Sequence, residues 1–185
     1  MRFFSPLKIR WFNIWIGIIP IILTTISILM INKEATKKAA DMSEYTDEDK
    51  KIAILAMLIF YGAVIYSIWI PFAFRTVYSV LGAIVYTAGL VFFLSANYKF
   101  VTISIDQPIV DGVYKISRHP IYTSTAIMLL GLGIAGKSWV MVILIFLYNV
   151  LNHRIVLVEE KACIRKYGDI YRKYMKHVPR YLFFL

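Results

Sequence analysis

Three stretches of the chain run for at least 20 residues without a charge: Trp11 to Ile31, Ile52 to Phe74 and Thr76 to Tyr98. About 20 residues of helix, rising about 1.5 Å each, cross a hydrocarbon layer of about 30 Å. A fourth uncharged stretch, Pro120 to Gly136, is shorter, and a fifth runs from Ser138 to Asn152, reaching Val158 if His153 and Arg154 sit at its end. The pattern predicts an all-α integral membrane protein with about five transmembrane helices, the last two a tight hairpin turning at Lys137. From Val156 to Val178, apolar positions recur at Cys163, Tyr167, Ile170, Tyr174 and Val178, while Lys161, Arg165, Arg172, Lys173 and Lys176 take other faces. That spacing predicts a C-terminal amphipathic helix on the inner membrane surface, with a bend or stop at Gly168. The chain reads as one membrane domain, residues 1–98 giving three spans and residues 99–185 carrying the chemistry.

Composition strengthens the membrane reading. Of 185 residues, 59% are hydrophobic and only 17% charged, and the mean hydropathy is +0.66. A soluble domain carries about 25% charge, so this chain has too little polar surface to coat itself in water. The charge distribution then orients it. With the N-terminus outside, the inner segments hold 16 of the 21 Lys and Arg residues (Lys33, Lys37, Lys38, Lys50, Lys51, Lys99, Lys115, Arg118 and all eight from Arg154 onward), leaving Arg2, Lys8, Arg10, Arg75 and Lys137 outside. The positive-inside rule therefore places the C-terminus in the cytoplasm, in a plasma or endoplasmic-reticulum membrane. The net charge of +10 lies mostly in the tail, beside anionic headgroups, so the partner it implies is the lipid bilayer and not nucleic acid. Residues 32–51, six acids among five lysines, read as a solvated connection.

Two clusters carry candidate chemistry. Counted from Lys137, His119 lies 18 residues back and Arg154 lies 17 residues on, so helical rise brings both to one height near the inner hydrocarbon edge. In "DGVYKISRHPIY", Asp111 to Tyr122, Pro120 suits the first helical position, and the helix start offers free N–H groups and partial positive charge to an anion. In "NHRIVLVEEKACIRKYG", Asn152 to Gly168, charges at a transmembrane end are costly enough to mark a candidate site. Adjacent glutamates point about 100° apart, so one of Glu159 and Glu160 is expected to enter the pocket and the other to be wet. Tyr114, Tyr122, Tyr167 and Tyr171 add aromatic faces, which attract cations. A ligand with both a carboxylate and positive groups fits, and S-adenosylmethionine is one such ligand. The plain alternative makes Arg118 and Arg154 membrane anchors, His119 a cap and both glutamates solvated.

At these residues the sequence resembles the integral-membrane methyltransferases that include isoprenylcysteine carboxyl methyltransferase and, more distantly, phosphatidylethanolamine N-methyltransferase. The resemblance rests on "GVY", "RHPIY", a transmembrane hairpin, "EE" and "KYGDIYRKYMKHVPR", from about Gln107 to Arg180. It implies S-adenosylmethionine bound by Gln107, Pro108, Ile109, Val110, Tyr114, His119, Pro120, Ile121, Tyr122 and Glu159, with a lipophilic methyl acceptor: a prenylcysteine-like carboxylate, a lipid amine or a thiol. Arg154 would orient or polarise an acceptor oxygen, and Glu160 would take a proton from an amine or thiol. No metal is required. Arg154 stands five residues before Glu159 where the family usually has four, and the connection from Val110 to Gly112 is one residue short. Membrane sterol and steroid reductases, which use NADPH, are similar in the R-H-P-x-Y hairpin and basic tail, and a non-enzymatic scaffold or transporter is a third reading.

"GLGIAGKS", Gly131 to Ser138, matches a phosphate-loop pattern, but apolar spans flank it on both sides, so neither the strand nor the soluble helix that the motif needs has a place. It is expected to form the hairpin turn, with Gly131 and Gly133 allowing close helix approach. Cys163, the lone cysteine, is expected to pack.

Overall fold

The computed structural model describes residues 8–31, 42–102 and 107–182; Arg2, Lys33, Lys37 and Lys38, used in the topology argument, lie outside them. The described residues form six α-helices and no strand: α1 (Ile19–Ile31), α2 (Asp47–Ser67), α3 (Val77–Thr102), α4 (Pro120–Ala135), α5 (Trp139–Tyr167) and α6 (Asp169–His177), with short 3-10 turns at Ile14–Ile18 and Gly112–Lys115. By length and composition α2, α3 and α5 can each cross a membrane, while Ile14–Met30 and α4 are shorter apolar helices. Large apolar side chains on α1, α2, α3 and α5 point outward, Leu23, Leu58, Ile84 and Phe146 among them, as lipid-facing residues must.

Helix α2 begins five residues before the expected span. Thr46 accepts from the Asp49 N–H, and Asp49 Oδ2 accepts from the Thr46 N–H at 3.1 Å, a capping box that satisfies two otherwise orphan donors. The acidic stretch "DED" is therefore the first turn of a helix and not part of a solvated connection. At the other end α2 stops at Ser67, and Ile68 to Phe74 fold against the N-terminal segment. Ile14 N–H donates to Ile70 O at 3.0 Å, and the Asn13 side chain bonds the carbonyls of Lys8 and Ile68.

Helix α4 is the centre of the molecule. Its 16 residues span about 24 Å, and most are buried, so its shortness is compensated by protein at both ends. It packs backbone to backbone on α3: a Cβ at Gly131 would come 2.5 Å from Tyr86 N, and one at Gly82 would come 2.6 Å from Ala135 N and Gly131 O. Gly89 meets Met128 N in the same way. Gly131 thus serves close approach as expected, though its partner is α3, and Gly133 makes only looser contacts to Met141 and Val142.

The hairpin turn follows the expected residues. Gly136 N–H donates to Leu132 O, Lys137 adopts φ 53°, Ser138 N–H returns to Gly133 O at 3.0 Å, and the Ser138 hydroxyl caps α5 through Met141 N–H. No strand among the described residues precedes Gly131, so "GLGIAGKS" is a turn between helices. Helix α5 continues unbroken to Tyr167, and Gly168, at φ 57°, ends it and starts α6. The amphipathic stretch is thus divided between two helices: Tyr171, Tyr174 and Val178 are buried against Cys163, Ile164 and Tyr167, while Ile170 is exposed.

Candidate functional site

The tail that follows α6 builds the site's floor. Because Gly168 turns α6 back, Tyr174 can donate its hydroxyl proton to Tyr114 O at 2.6 Å, and residues 178–180 run beside the start of α4. Arg118 N–H donates to Pro179 O at 2.9 Å, His119 N–H to Arg180 O at 3.3 Å, and the Ser117 hydroxyl to Arg180 O at 3.0 Å. The segment 117–119 is therefore held in a non-helical geometry, with His119 at φ −124° and ψ 61°, directly before Pro120.

Four charged side chains and one histidine meet on this floor. Glu160 is 3% exposed; it accepts from Arg118 Nε at 2.9 Å and from Arg180 Nη2 at 2.8 Å. Arg118 Nη1 also donates to the carbonyls of Met175 and Val178. Such charge-assisted bonds are the strong ones, and a carboxylate held by two guanidiniums is a poor proton acceptor. Glu159 is different. Its side chain is 36% exposed and accepts the Tyr122 hydroxyl at 2.7 Å. The sequence left open which of the two is wet; the structure buries Glu160 as an ion-pair centre and leaves Glu159 open.

His119 lies between the two carboxylates, Nδ1 3.5 Å from Glu159 Oε2 and Nε2 3.4 Å from Glu160 Oε1. Burial alone would push its pKa down, but the two glutamates prevail and hold it above the usual histidine value. The Nε2 contact is too poorly aligned for a hydrogen bond, so this buried atom has no such partner among the described residues.

The loop before α4 supplies an apolar wall. Ile109 and Tyr114 are buried with Ala96, and Phe100, Val113 and Ile121 pack against them. Burial raises the Tyr114 phenol pKa, so it stays neutral. Gly112 has φ 59°, and beside it Lys99 Nζ lies 2.5 Å from Asp111 Oδ2. The other Asp111 oxygen is buried without a hydrogen-bond partner among the described residues. Pro108 is half-buried; Gln107 and Val110 are exposed.

Of the residues singled out from sequence, the structure brings His119, Tyr122, Glu159 and Glu160 together, with Ile109, Tyr114, Pro120 and Ile121 alongside. It does not bring Arg154. Five residues from Glu159 is about 140° around a helix, and Arg154 instead reaches α2, where its Nε lies 2.9 Å from Asp49 Oδ1. Nor does His119 meet Arg154 in height: its partners lie five and six residues further along α5. That is an offset of about 8 Å of helical rise, set by how α4 and α5 pack and not by the residue count from the turn. Two functional neighbours escaped the sequence reading. Asp49, whose side chain is 4% exposed, carried a signal, the Thr46-x-x-Asp49 capping pattern. Arg180 closes the motif "KYGDIYRKYMKHVPR", but it follows the last helix, and no periodicity places it beside Glu160.

The open Glu159 carboxylate with the Tyr122 hydroxyl beside it suits a cationic group such as an ammonium, and the start of α4, where Ile121 and Tyr122 N–H precede the first intrahelical bond, is the kind of place that takes an anion.

A family model described as phospholipid methyltransferase matches residues 52–170. The match runs from the second turn of α2 to the start of α6, takes in both clusters and leaves Asp49 and Arg180 outside. No curated protein matches the chain.

Proposed function

The chain belongs to the phospholipid methyltransferase family, a methyl-transferring enzyme of membranes, and from that premise we propose that it uses S-adenosylmethionine to methylate a lipophilic acceptor dissolved in the bilayer. The observation that carries the reading is the adjacent pair of glutamates with opposite fates: Glu160 locked between Arg118 and Arg180, Glu159 open and paired with Tyr122.

In this reading Glu159 and Tyr122 hold the donor's ammonium, the start of α4 faces its carboxylate, and Ile109, Tyr114 and Ile121 line its apolar part. The donor brings an already activated methyl group, so the chain's task is to position the partners and exclude water. Glu160, Arg118 and Arg180 act indirectly, by fixing the α4 start on which Glu159's partners stand. Asp49 holds one edge of the Arg154 guanidinium on α2, away from Glu159, which favours a lipid amine or a thiol as acceptor over a prenylcysteine-like carboxylate. The five-span topology, with the N-terminus outside and the site at the cytoplasmic face, completes the proposal; it is supported by the basic tail and by the apolar helices.

Calorimetry on the purified protein in detergent tests the donor. S-adenosylhomocysteine is expected to bind at micromolar concentration and NADPH not at all; heat from NADPH alone would restore the reductase-like reading. Methyl-labelled donor incubated with lipid extracts would then name the acceptor.

A further inference from the structure

An ammonium lipid or a thiol must lose a proton before its lone pair can attack, and Glu160 is not available to take it. The structure holds another group on the same side. His153 lies seven residues before Glu160 on α5, two turns and so nearly the same face. Its Nδ1 is 3.1 Å from the hydroxyl of Tyr181, and the two rings are 6.0 Å apart at 47°. Tyr181 follows Arg180 directly, so one short tail segment reaches from the Glu160 ion pair to His153. The Tyr181 phenol is within electrostatic reach of both Glu159 and Glu160, which places the pair at the edge of the site. Burial raises its pKa, and it remains a neutral hydrogen-bonding group.

We propose that His153 is the proton acceptor for the methyl acceptor and that Tyr181 is its positioning residue. The proposal rests on the methyl-transfer reading above. With Nδ1–H donating to the Tyr181 oxygen, Nε2 carries the imidazole lone pair. The N–H or S–H bond of the acceptor breaks, its electron pair stays on nitrogen or sulfur, and the proton bonds to Nε2. The imidazolium then releases that proton to water that reaches it beside the Tyr181 tail. Around His153, Tyr181 faces it from the tail, Arg180 precedes Tyr181 in the chain and pairs with Glu160, and Arg154, next to it on α5, is turned to Asp49 of α2.

The test combines three readouts on the full chain in lipid vesicles. Carbethoxylation of His153 by diethyl pyrocarbonate, followed across pH by mass spectrometry, needs neither variant nor turnover, and its midpoint should coincide with the acid limb of the methyl-transfer profile. His153→Gln should bind S-adenosylhomocysteine within about twofold of the parent yet lose about 100-fold or more in transfer, the usual share of a general base, and added imidazole should restore part of the rate. Tyr181→Phe should slow transfer about fivefold, as for loss of one neutral hydrogen bond, and move the limb and the carbethoxylation midpoint together. Midpoints that do not coincide, or a His153→Gln enzyme that keeps half its rate and its acid limb, would overturn the proposal. Loss of S-adenosylhomocysteine binding in His153→Gln alone would also overturn it, by placing His153 in the donor site. Absence of that binding in the parent protein would instead bring down the methyl-transfer reading itself.

Discussion

Replacing each of two adjacent glutamates by glutamine should produce opposite phenotypes. Glu160 is almost fully buried and receives bonds from Arg118 Nε and from Arg180 Nε and Nη2, at 2.9, 3.1 and 2.8 Å. Glutamine keeps the shape but removes the charge, so two guanidiniums face each other without an anion. Breaking a buried pair by removing one partner costs about 3 to 5 kcal/mol. Arg180 is partly exposed, 22% by side chain, and can turn to water, whereas Arg118 is tied to the Met175 and Val178 carbonyls and cannot. The lower half of that range, about 3 to 4 kcal/mol, is therefore expected, equivalent to a fall of about 10 °C in melting temperature for a chain of this size. Glu159→Gln removes no buried charge and keeps the Tyr122 contact, so stability should change by less than about 1 kcal/mol while S-adenosylhomocysteine binding weakens at least about tenfold through loss of a charge-assisted bond. Thermal unfolding in detergent and calorimetry, run side by side on both variants, read the two effects. A Glu160→Gln protein that melts with the parent, or a Glu159→Gln protein that binds with parental affinity, would refute the division of labour between the pair.

Other substitutions probe the scaffold. Gly131→Ala places a methyl 2.5 Å from Tyr86 N on α3, where backbone cannot yield, and should cost about 1 to 3 kcal/mol by overpacking, read as lost folded yield and a lower melting temperature. Lys137→Ala alters only the turn at the far end of α4 and should leave methyl transfer nearly intact; a large loss would give "GLGIAGKS" a direct role. Lys99 beside Asp111 holds that carboxyl below its usual pKa. A depressed carboxyl contributes stability that is fully present above the unfolded value of about 3.9 and is lost as pH falls through the folded value. The difference in melting temperature between the parent and Asp111→Asn should therefore be constant near neutrality and shrink below about pH 4.

The helices were legible in the sequence because lipid imposes a length and a polarity on each of them. Their ends were legible only where a chemical signal stood, as at Pro120, Ser138 and Gly168, and the start of α2 was missed because "TDEDKK" looks solvated until Thr46 and Asp49 are seen to cap one another. That the two clusters meet was legible from position along the hairpin, but their register was not, since counting from the turn matched His119 with Arg154 and the packing of α4 on α5 sets it against Glu159 and Glu160 instead. Which glutamate is locked depended on Arg180, a tail residue whose place comes from α6 folding back on Tyr114. The contact of Arg154 with Asp49 was hidden for a related reason: the two lie more than 100 residues apart in sequence, and only the packing of α2 against α5 brings them together.

The shortness of α4 has a kinetic meaning. In the proposed five-span arrangement, a helix of about 24 Å in a layer of about 30 Å leaves its first turn, and so His119 and Glu159, a few ångströms below the headgroups, with the tail folded beneath. The membrane-dissolved acceptor proposed above would reach that depth by sideways diffusion and never have to leave the bilayer. The concentration that governs turnover is then a mole fraction in a two-dimensional solvent: diluting the acceptor with inert lipid should slow the enzyme, and diluting the whole suspension with buffer should not.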